Sequence, residues 1–303
     1  MPVNNRPKRT WQRVDGVLLL DKPQGMSSNA ALQSARRLFS AAKAGHTGTL
    51  DPLATGLLPL CFGEATKFSA DLLEADKTYE VDVRFGVTTD TGDAEGEVLQ
   101  RHPVCFDRLQ LEAVMQRFRG PIRQVPPMYS ALKRDGQPLY RLARQGIEVE
   151  RAAREVTIGE LRLLDFSGER CRLLVTCSKG TYVRTLAEDI GQTLGCGAHL
   201  TALRRIAVGS LTIERAVTLE CLGESPEIQR GQWLLPTDAL LQNLPAVVLD
   251  VPSARRFLHG NPVESGSMLA GKCRAYDNQR LLGVGEVDTV GLFHPRRLIA
   301  CDV

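Results

Sequence analysis

The chain has 303 residues, of which 43% are hydrophobic and 24% charged, a balance typical of soluble globular proteins. No apolar run reaches the roughly 18 residues of a membrane-spanning helix, and the run at residues 17–20 is too short for a signal peptide. The eight cysteines form no Cys-x-x-Cys pair, so the sequence predicts reduced thiols in a cytoplasmic protein without a zinc site or membrane partner.

The first predicted elements are a basic arm, a buried strand and a helix. Residues 1–13 are polar and basic and contain prolines, which indicates a flexible arm. Residues 17–20 predict a short buried strand that ends in a turn at residues 21–25. Ser27 or Ser28 then begins a helix that extends to about residue 39. Its apolar residues share one face: Ala31, Leu32, Ala35, Leu38 and Phe39.

Residues 45–60 combine three glycines, two prolines and five leucines. The glycines and prolines argue against a regular helix or a central strand, whereas the leucines require burial. The sequence therefore predicts a rigid, partly buried loop that presents one carboxylate, Asp51, and one imidazole, His46. The residues alone leave two readings open: a turn aspartate with a structural histidine, or an active-site loop.

A helix, an alternating strand and an acidic turn follow. Residues 63–73 predict a short helix, and residues 77–85 alternate with period two, which indicates a strand with one buried face. That face carries Tyr79, Val81, Val83 and Phe85. On its own, Tyr79 is an ordinary core aromatic. The acids of residues 88–97 do not fit a twelve-residue calcium loop, so no calcium site is predicted, although Asp90 is a candidate for an ion pair near the site.

The sign of the charge changes in the next part of the chain. Residues 71–100 hold nine acids and two bases, whereas residues 101–155 hold eleven bases and six acids. Such a basic segment is typical either of a solvated helix face or of a phosphate-binding surface. Residues 106–118 predict an amphipathic helix, residues 124–133 are too rich in proline for one, and residues 138–145 predict another short helix.

A strand pair and a helix come next. Residues 154–166 and 171–177 predict two paired strands, and the helix that follows carries an apolar stripe that Gly195 ends. Tyr182 and Arg184 fall in its first turn, which we expect at the mouth of a site rather than in the core. Because a cation there opposes the helix dipole, Arg184 is expected to have another partner; a surface arginine is the alternative.

The last part of the chain indicates a domain boundary. His199 has no metal-ligand neighbour and is expected to be structural. For Leu203, core packing and lining of a site stay equal alternatives. Residues 236–245 are a boundary, and a short helix and short strands beyond it predict a small β-rich domain. The sequence thus predicts three parts: an arm at 1–13, a domain over 14–240 and a β-rich domain over 246–303.

Six stretches together resemble motifs of the TruB-type tRNA pseudouridine-55 synthases. The most specific is the twelve-residue string GHTGTLDPLATG at residues 45–56. The others are residues 20–28, the Lys-x-Tyr at 77–79, residues 124–133, the Lys-Gly-Thr-Tyr-Val-Arg at 179–184 and residues 197–205. The resemblance covers roughly residues 14–212. The β-rich domain resembles, weakly, the PUA-like appendage of bacterial members.

The resemblance implies a fold and a substrate. The fold is α+β: a mixed, mainly antiparallel central sheet with flanking helices and loops, plus the PUA-like C-terminal domain. The reaction is the isomerisation of uridine to pseudouridine at position 55 in the T-loop of tRNA, with the target base flipped out. An RNA-gripping insertion is expected near residues 124–155. Its basic residues are Lys133, Arg134, Arg141, Arg144, Arg151 and Arg154.

The resemblance also implies roles for single residues. Asp51 is the catalytic carboxylate, acting either as nucleophile at C1′ or as base at C2′ of the ribose. Arg184 pairs with it, and Tyr79 stacks on the uracil and assists removal of the C5 proton. Lys22 is an alternative base, which we expect instead to be structural. The implied substrate-binding residues are His46, Tyr79, Tyr182 and Leu203.

The reaction class limits the cofactors and partners. Isomerisation requires no redox cofactor, nucleotide or metal, and the sequence contains no GxGxxG fingerprint, P-loop or metal-ligand cluster. The expected partner is the T-stem-loop of tRNA, and a monomer is expected, although the sequence does not reveal the oligomeric state. Two alternatives stay open: a non-catalytic RNA-binding or RNA-folding module, and a related synthase that acts on ribosomal or guide-selected RNA. An aspartate-based hydrolase is disfavoured because no second acid lies at useful spacing.

Overall fold

The computed structural model describes residues 10–266 and 270–300, so most of the predicted basic arm lies outside the described residues. Seven α-helices are described in these ranges. They are α1 (Ser28–Leu38), α2 (Ser69–Leu73), α3 (Arg108–Gln116), α4 (Leu139–Ala143), α5 (Val183–Thr193), α6 (Leu219–Glu224) and α7 (Val251–Leu258). Within the described residues, none of these helices is long and apolar enough to cross a membrane.

The described strands fall into two large sheets and two small hairpins. In chain order they are β1 (Gly16–Lys22), β2 (Ala44–His46), β3 (Thr55–Phe62), β4 (Lys77–Phe85), β5 (Val87–Thr89), β6 (Val98–Arg101), β7 (Gly120–Gln124), β8 (Lys133–Arg134), β9 (Gln137–Pro138), β10 (Arg154–Phe166), β11 (Arg170–Cys177), β12 (Ala198–Val208), β13 (Leu211–Thr212), β14 (Val217–Thr218), β15 (Leu234–Leu235), β16 (Ala246–Leu249), β17 (Val263–Glu264), β18 (Gly271–Asp277), β19 (Arg280–Val287) and β20 (Leu292–Leu298).

The larger sheet has 11 strands, of which eight follow the order β14-β1-β3-β12-β4-β11-β10-β7. Strands β13, β15 and β2 pair with β12, β1 and β3, respectively. The β1–β14 and β12–β3 pairs are parallel, and the other pairs of this sheet are antiparallel. The predicted α+β class with a mixed, mainly antiparallel central sheet is confirmed.

Side-chain caps and alternating apolar residues explain the elements that the sequence predicted. The hydroxyl of Ser27 accepts a hydrogen bond from the backbone N–H of Ala30 and begins α1. Asp107 and Gln110 form a capping box at the start of α3. In β4, Val81, Val83 and Phe85 are buried on one face, as the period of two predicted.

The prediction of a loop over residues 45–60 is wrong for its second half, which forms the central strand β3. Its leucines are buried on both faces of the sheet, so burial outweighs the unfavourable composition. Pro59 has no backbone N–H to donate, and on the side of β3 away from β1 no described strand pairs with it. Strand β12 pairs with Thr55 and Gly56, and β2 pairs from Leu60 onward. Strand β7, which begins at Gly120, was not predicted either.

Two apolar cores meet at the centre of the large sheet. One lies between the sheet and helices α3 and α5, and the other lies beneath α1. Tyr79 and Leu203 are partly buried and pack against both cores. This position places the two side chains at the seam between the cores, beside the loop that carries Asp51.

The smaller sheet is the β-rich C-terminal part of the chain. It has five strands in the order β16-β18-β19-β20-β17 and its own core, in which the rings of Phe257 and Phe293 lie 4.7 Å apart. Polar contacts join it to the rest of the chain. The Tyr276 hydroxyl donates to Asp238 Oδ2 at 2.6 Å, and Lys67 Nζ donates to the Leu298 carbonyl at 2.9 Å.

Candidate active site

The Asp51 loop connects β2 to β3 and is fixed by the segment that begins α1. The Ser28 hydroxyl donates to the Leu50 carbonyl at 2.9 Å and accepts from the Leu50 N–H at 2.7 Å. The N–H of Gly25 donates to the Pro52 carbonyl at 2.8 Å. Leu50 and Leu53 are buried, whereas the Asp51 side chain remains 43% exposed. The loop therefore holds the carboxylate rigidly but leaves it open to a ligand.

Lys22 stabilises the turn that contacts this loop. Its side chain is fully buried, and Nζ donates to the carbonyls of Pro23 at 2.8 Å and of Met26 at 2.7 Å. Burial lowers the pKa of Lys22 to about 8, and the charge of Asp51 opposes this shift. Because its hydrogens bind backbone carbonyls of the turn, Lys22 stabilises the turn that contacts the Asp51 loop.

Arg184 joins three distant parts of the chain around Asp51. Its Nη2 lies 3.0 Å from Asp51 Oδ2 and donates to the Tyr129 carbonyl at 2.7 Å. Its Nη1 donates to the Thr91 carbonyl at 2.8 Å and lies 3.5 Å from Asp93 Oδ2. The Arg184 side chain is only 7% exposed, so the prediction that it lies at the mouth rather than in the core is wrong. Its carboxylate and carbonyl partners compensate for burial of the cation.

The acidic turn contributes Asp93 to this network, not Asp90, which the sequence offered only as a candidate for an ion pair. Asp93 is 7% exposed, and its Oδ1 accepts from the Thr91 hydroxyl at 2.7 Å and from the Glu95 N–H at 3.1 Å. Asp90 instead accepts a hydrogen bond from the Tyr129 hydroxyl at 3.3 Å. The two acids are three residues apart in an irregular turn, and no periodicity in the sequence distinguishes the buried one.

Glu188, one helical turn after Arg184, is a further acid of this cluster. Burial raises the pKa of Glu188 to about 7, and the Arg184 charge opposes the shift. Its carboxylate packs on Gly92, where an added Cβ would lie 2.8 Å from Oε1 and where φ is +72°. Glycine is therefore required at position 92, between the two residues of the turn that contact Arg184.

Tyr79 and Leu203 form the other side of the candidate site. In the β4–β12 pair, Tyr79 lies opposite Arg205 and Leu203 lies opposite Val81. Burial raises the pKa of Tyr79, the neighbouring Arg205 opposes that shift, and the charge of Asp51 contributes to it. The structure thus brings the aromatic ring, the apolar side chain and the carboxylate together.

His46 and Tyr182 border the same space. His46 ends β2, and its Nδ1 is buried and meets no hydrogen-bond partner in the described part of the chain. Burial lowers the pKa of His46, and Arg205 lowers it further. Tyr182 is the N-cap of α5, and its backbone exchanges two hydrogen bonds with the Gln124 amide, at 3.1 and 3.3 Å. Burial raises the pKa of Tyr182, and the charge of Asp51 contributes to the shift.

The basic insertion surrounds a cleft beside this site. A cavity of about 390 Å³ is lined by Pro126, Leu132, Lys133, Arg134, Leu139, Glu150, Arg151, Ala152 and Arg154. Arg134 Nη1 donates to the Glu150 carbonyl at 3.2 Å, which holds the β8–β9 hairpin against the segment before β10. Because the Tyr129 carbonyl of the insertion accepts a hydrogen bond from Arg184, the insertion is connected to the Asp51–Arg184 ion pair.

The structure assigns other predicted residues to the scaffold. His199 is buried and its Nδ1 lies 2.9 Å from the Val87 carbonyl, which fits a structural role. Within residues 10–266 and 270–300, no group of three or more His, Cys, Asp or Glu side chains is arranged to hold a metal ion.

Three family models match consecutive parts of the chain. They are TruB family pseudouridylate synthase (N terminal domain) over residues 36–183, tRNA pseudouridylate synthase B C-terminal domain over 184–242, and Pseudouridine synthase II TruB, C-terminal over 245–299. The chain belongs to the TruB family of pseudouridylate synthases. It is therefore an isomerase that forms pseudouridine, and the resemblance found in the motifs is confirmed.

Curated relatives match this TruB-family chain over nearly its whole length. A tRNA pseudouridine synthase B of Dechloromonas aromatica (strain RCB) is 63% identical over 292 residues, which cover 96% of this chain and 98% of the relative. A tRNA pseudouridine synthase B of Azoarcus sp. (strain BH72) is 60% identical over 287 residues, with 95% of each chain covered.

Solved structures share the fold of this TruB-family chain. A chain of a Cbf5-Nop10-Gar1 complex superposes with a TM-score of 0.71 at 26% identity, covering 90% of this chain and 78% of that chain. A chain of an H/ACA RNP bound to a substrate RNA containing 2′-deoxyuridine has a TM-score of 0.69 at 21% identity, covering 94% and 85%, respectively, and shows the fold alone. The predicted pseudouridine synthase fold is confirmed.

Motif matching and structure agree on which residues meet, but the motifs do not reveal the whole site. Asp51, Tyr79 and Arg184 come from three separate motifs and converge on one space. Two further charged residues lie around that space and were not assigned to it: Asp93, which pairs with Arg184, and Arg205, which lies opposite Tyr79. Arg205 stood in a recognised stretch, but its position opposite Tyr79 depends on the β4–β12 pairing, which the sequence did not predict.

Proposed function

We propose that this chain isomerises uridine to pseudouridine at position 55 in the T-loop of tRNA, as a monomer in the cytoplasm. Relatives named tRNA pseudouridine synthase B, 57–63% identical to this chain, support tRNA as the substrate. The observation that carries the proposal is the 3.0 Å contact between Asp51 and Arg184 on a loop that remains open to solvent. We also propose that residues 14–240 form the catalytic domain, 246–303 a PUA-like domain and 1–13 a basic arm.

Asp51 performs the chemistry at the ribose. Isomerisation breaks the N1–C1′ bond, turns the uracil and forms a C5–C1′ bond, so a carboxylate at the sugar is required. Asp51 acts on C1′ as nucleophile or on the C2′ proton as base. Arg184 binds its Oδ2 and fixes the orientation of the carboxylate, and the 43% exposure of the side chain leaves room for the ribose.

The target base occupies the space between Tyr79 and Leu203. A flipped uracil needs an aromatic surface for stacking and an apolar surface opposite, and it costs about a few kcal/mol to extrude from the RNA fold. Tyr79 supplies the ring and Leu203 the apolar surface, at the seam between the two cores. His46 and Tyr182 border the entrance, where the RNA loop lies after the base has left it.

The insertion at residues 124–155 binds the phosphate backbone of the T-stem-loop. Its cleft presents cationic side chains beside the active site, and phosphate contacts supply affinity and register rather than sequence discrimination. The Arg184 contact with the Tyr129 carbonyl then links RNA binding on the insertion to the position of Asp51. Recognition by shape and splayed bases suits a folded RNA loop.

Asp51→Asn tests the proposal directly. The variant is expected to bind a T-stem-loop RNA with wild-type affinity and to lose pseudouridine formation by roughly 10³-fold or more under single-turnover conditions. Asp165→Asn, at an exposed residue of β10, is the matched control and should retain the wild-type rate. Undiminished turnover by Asp51→Asn would contradict the assignment of Asp51. RNA binding without pseudouridine formation by the unsubstituted chain would indicate a non-catalytic RNA-binding module.

A further inference from the structure

Arg205 is a buried cation at the centre of the large sheet. Its side chain is 1% exposed, Nε donates to the Leu57 carbonyl at 2.7 Å, and Nη2 donates to the Gly48 carbonyl at 3.4 Å. The backbone of β3 approaches it closely, because an added Cβ on Gly56 would lie 2.3 Å from the Arg205 carbonyl oxygen. The two hydrogen bonds therefore hold the guanidinium at a fixed position on β12, where residue 205 lies directly opposite Tyr79 on β4.

Among the described residues, no ion pair joins a carboxylate to Arg205, whereas Arg184 contacts two carboxylates. Burial lowers the pKa of Arg205, and the interaction that opposes this shift is with Tyr79. A buried cation without a counterion is costly, and hydrogen bonds to carbonyls recover only part of that cost. The position therefore favours a negative charge that forms next to the guanidinium.

We infer that Arg205 is a positioning residue for Tyr79: it holds the phenol oxygen and stabilises the phenolate form of Tyr79, which then takes the C5 proton. This inference rests on the proposed function and adds a residue to its last chemical step. The register supports it, because Arg205 lies directly opposite Tyr79 across the β4–β12 pair. Tyr79 packs against both cores at their seam, which is the proposed place of the target base.

The step balances without any added reactant. After C5 bonds to C1′, C5 carries both a hydrogen and the sugar, and N1 is joined to C6 by a double bond. Tyr79 enters this step as the phenolate, because a neutral phenol cannot accept another proton. The C5–H bond breaks, the proton goes to the phenolate oxygen, and the electron pair forms the C5–C6 double bond. The pair of the former C6–N1 double bond then takes a proton at N1 from solvent, and the neutral Tyr79 phenol releases its proton to solvent, which restores the phenolate.

Other titratable groups around Tyr79 also shift its pKa. Cys177 and Asp51 act on Tyr79 in the direction opposite to Arg205. After burial, Arg205 also lowers the pKa of Lys77 and of His46. Among the groups that act on Tyr79, Arg205 is the cation placed to stabilise the ionised phenol.

The test is a kinetic isotope effect with a T-stem-loop RNA whose target uridine carries deuterium at C5. Arg205→Lys is expected to slow the bound-state rate by roughly tenfold or more and to increase the isotope effect, because removal of the C5 proton becomes more rate-limiting. In a Tyr79→Phe background, the same substitution should cause no further loss. Arg172→Lys, at an exposed strand residue paired with Asp82, is the control and should change neither quantity.

Two results would overturn the inference: an isotope effect unchanged by Arg205→Lys, or an equal fold loss in the wild-type and Tyr79→Phe backgrounds. Fluorinated tyrosine at position 79, whose phenol is more acidic, keeps the test valid if the Arg205 variant fails to fold. It should change the isotope effect in a chain with Arg205 intact, and an unchanged value would also overturn the inference. Absence of pseudouridine with the unsubstituted chain would instead refute the proposed function.

Discussion

Two buried arginines lie on opposite sides of the site, and they are compensated differently. On the side that we propose faces the ribose, Arg184 contacts the carboxylates of Asp51 and Asp93 and two backbone carbonyls. On the side that we propose faces the base, Arg205 donates to two backbone carbonyls and lies opposite Tyr79 across the β4–β12 pair. The first cation has permanent counterions that fix its geometry, whereas the second is proposed to stabilise the ionised Tyr79 phenol.

The difference also separates stability from catalysis. Removing one member of a buried ion pair leaves an uncompensated charge, which destabilises a protein strongly. The ribose-facing side is therefore expected to matter for folding and for turnover together. The base-facing side should matter mainly for the rate of one step, because the proposed partner of Arg205 is the Tyr79 phenolate, which acts in that step.

Arg184→Met is expected to have the largest effect. It leaves Asp93 buried without its cation, so the free energy of unfolding should fall by about 3–5 kcal/mol, measured by urea denaturation. Single-turnover pseudouridine formation should fall by roughly 10³-fold, since the Asp51 carboxylate loses its orientation. Arg184→Lys is the control: it keeps the charge and should lose less stability, while its activity stays low because lysine lacks the planar fork. A wild-type rate for Arg184→Met would remove the ion pair from the mechanism.

Tyr79→Phe should have the next largest effect. The ring remains, so RNA affinity is expected to stay within a few-fold of wild type. The rate in the bound complex should fall by roughly 10²-fold because the oxygen that accepts the C5 proton is gone. Rapid-quench kinetics with saturating enzyme measure this rate. A normal rate would exclude the phenol, and with it the proposed role of Arg205, from the chemistry.

Changing Lys133, Arg134 and Arg144 together to glutamine separates RNA binding from the chemistry on the two sides of the site. Loss of phosphate contacts should weaken RNA affinity and reduce the slope of log affinity against log salt by about 2–3. The bound-state rate should remain near wild type, since none of these side chains is placed at the reacting atoms. The matched control replaces three exposed arginines of the large sheet, Arg162, Arg170 and Arg172. An unchanged salt slope in the insertion variant would exclude the insertion from phosphate contact.

Glu188 gives the smallest predicted effect, on stability against pH. Its pKa rises from the ordinary 4.5 to about 7 on folding, so its contribution is present below pH 4.5 and is lost as pH rises through 7. Glu188→Gln should therefore flatten this dependence and raise the free energy of unfolding at pH 8 by on the order of 1 kcal/mol. Urea denaturation between pH 4 and 8 measures it. The account of the acid cluster fails if Glu188→Gln lowers stability at pH 8.

Local patterns predicted much of the fold, and the exceptions have physical causes. The alternation in β4 and the caps at Ser27 and Asp107 are local signals, and the structure follows them. Strand β3 was missed because Gly56 and Pro59 disfavour a central strand, while burial on both faces is a property of the assembled sheet. Short pairing partners such as β7 carry little signal of their own.

The candidate site divides in the same way. Asp51, Tyr79 and Arg184 stand in recognisable motifs, and their roles stay predictions until the variants are measured. The pairing of Arg184 with Asp93 depends on how an irregular turn packs against α5, which composition does not encode. The environment of Arg205 is formed by two neighbouring strands and a loop that are distant in the sequence. The sequence alone therefore does not reveal which groups surround its charge.

The most direct measurement is the mapping of pseudouridine in one full-length tRNA transcript after incubation with the unsubstituted chain and with Asp51→Asn. The account predicts a single pseudouridine at position 55 with the unsubstituted chain, none with Asp51→Asn, and none in a transcript that carries cytidine at that position. Pseudouridine at another position, or at position 55 with the Asp51→Asn variant at an undiminished rate, would contradict it.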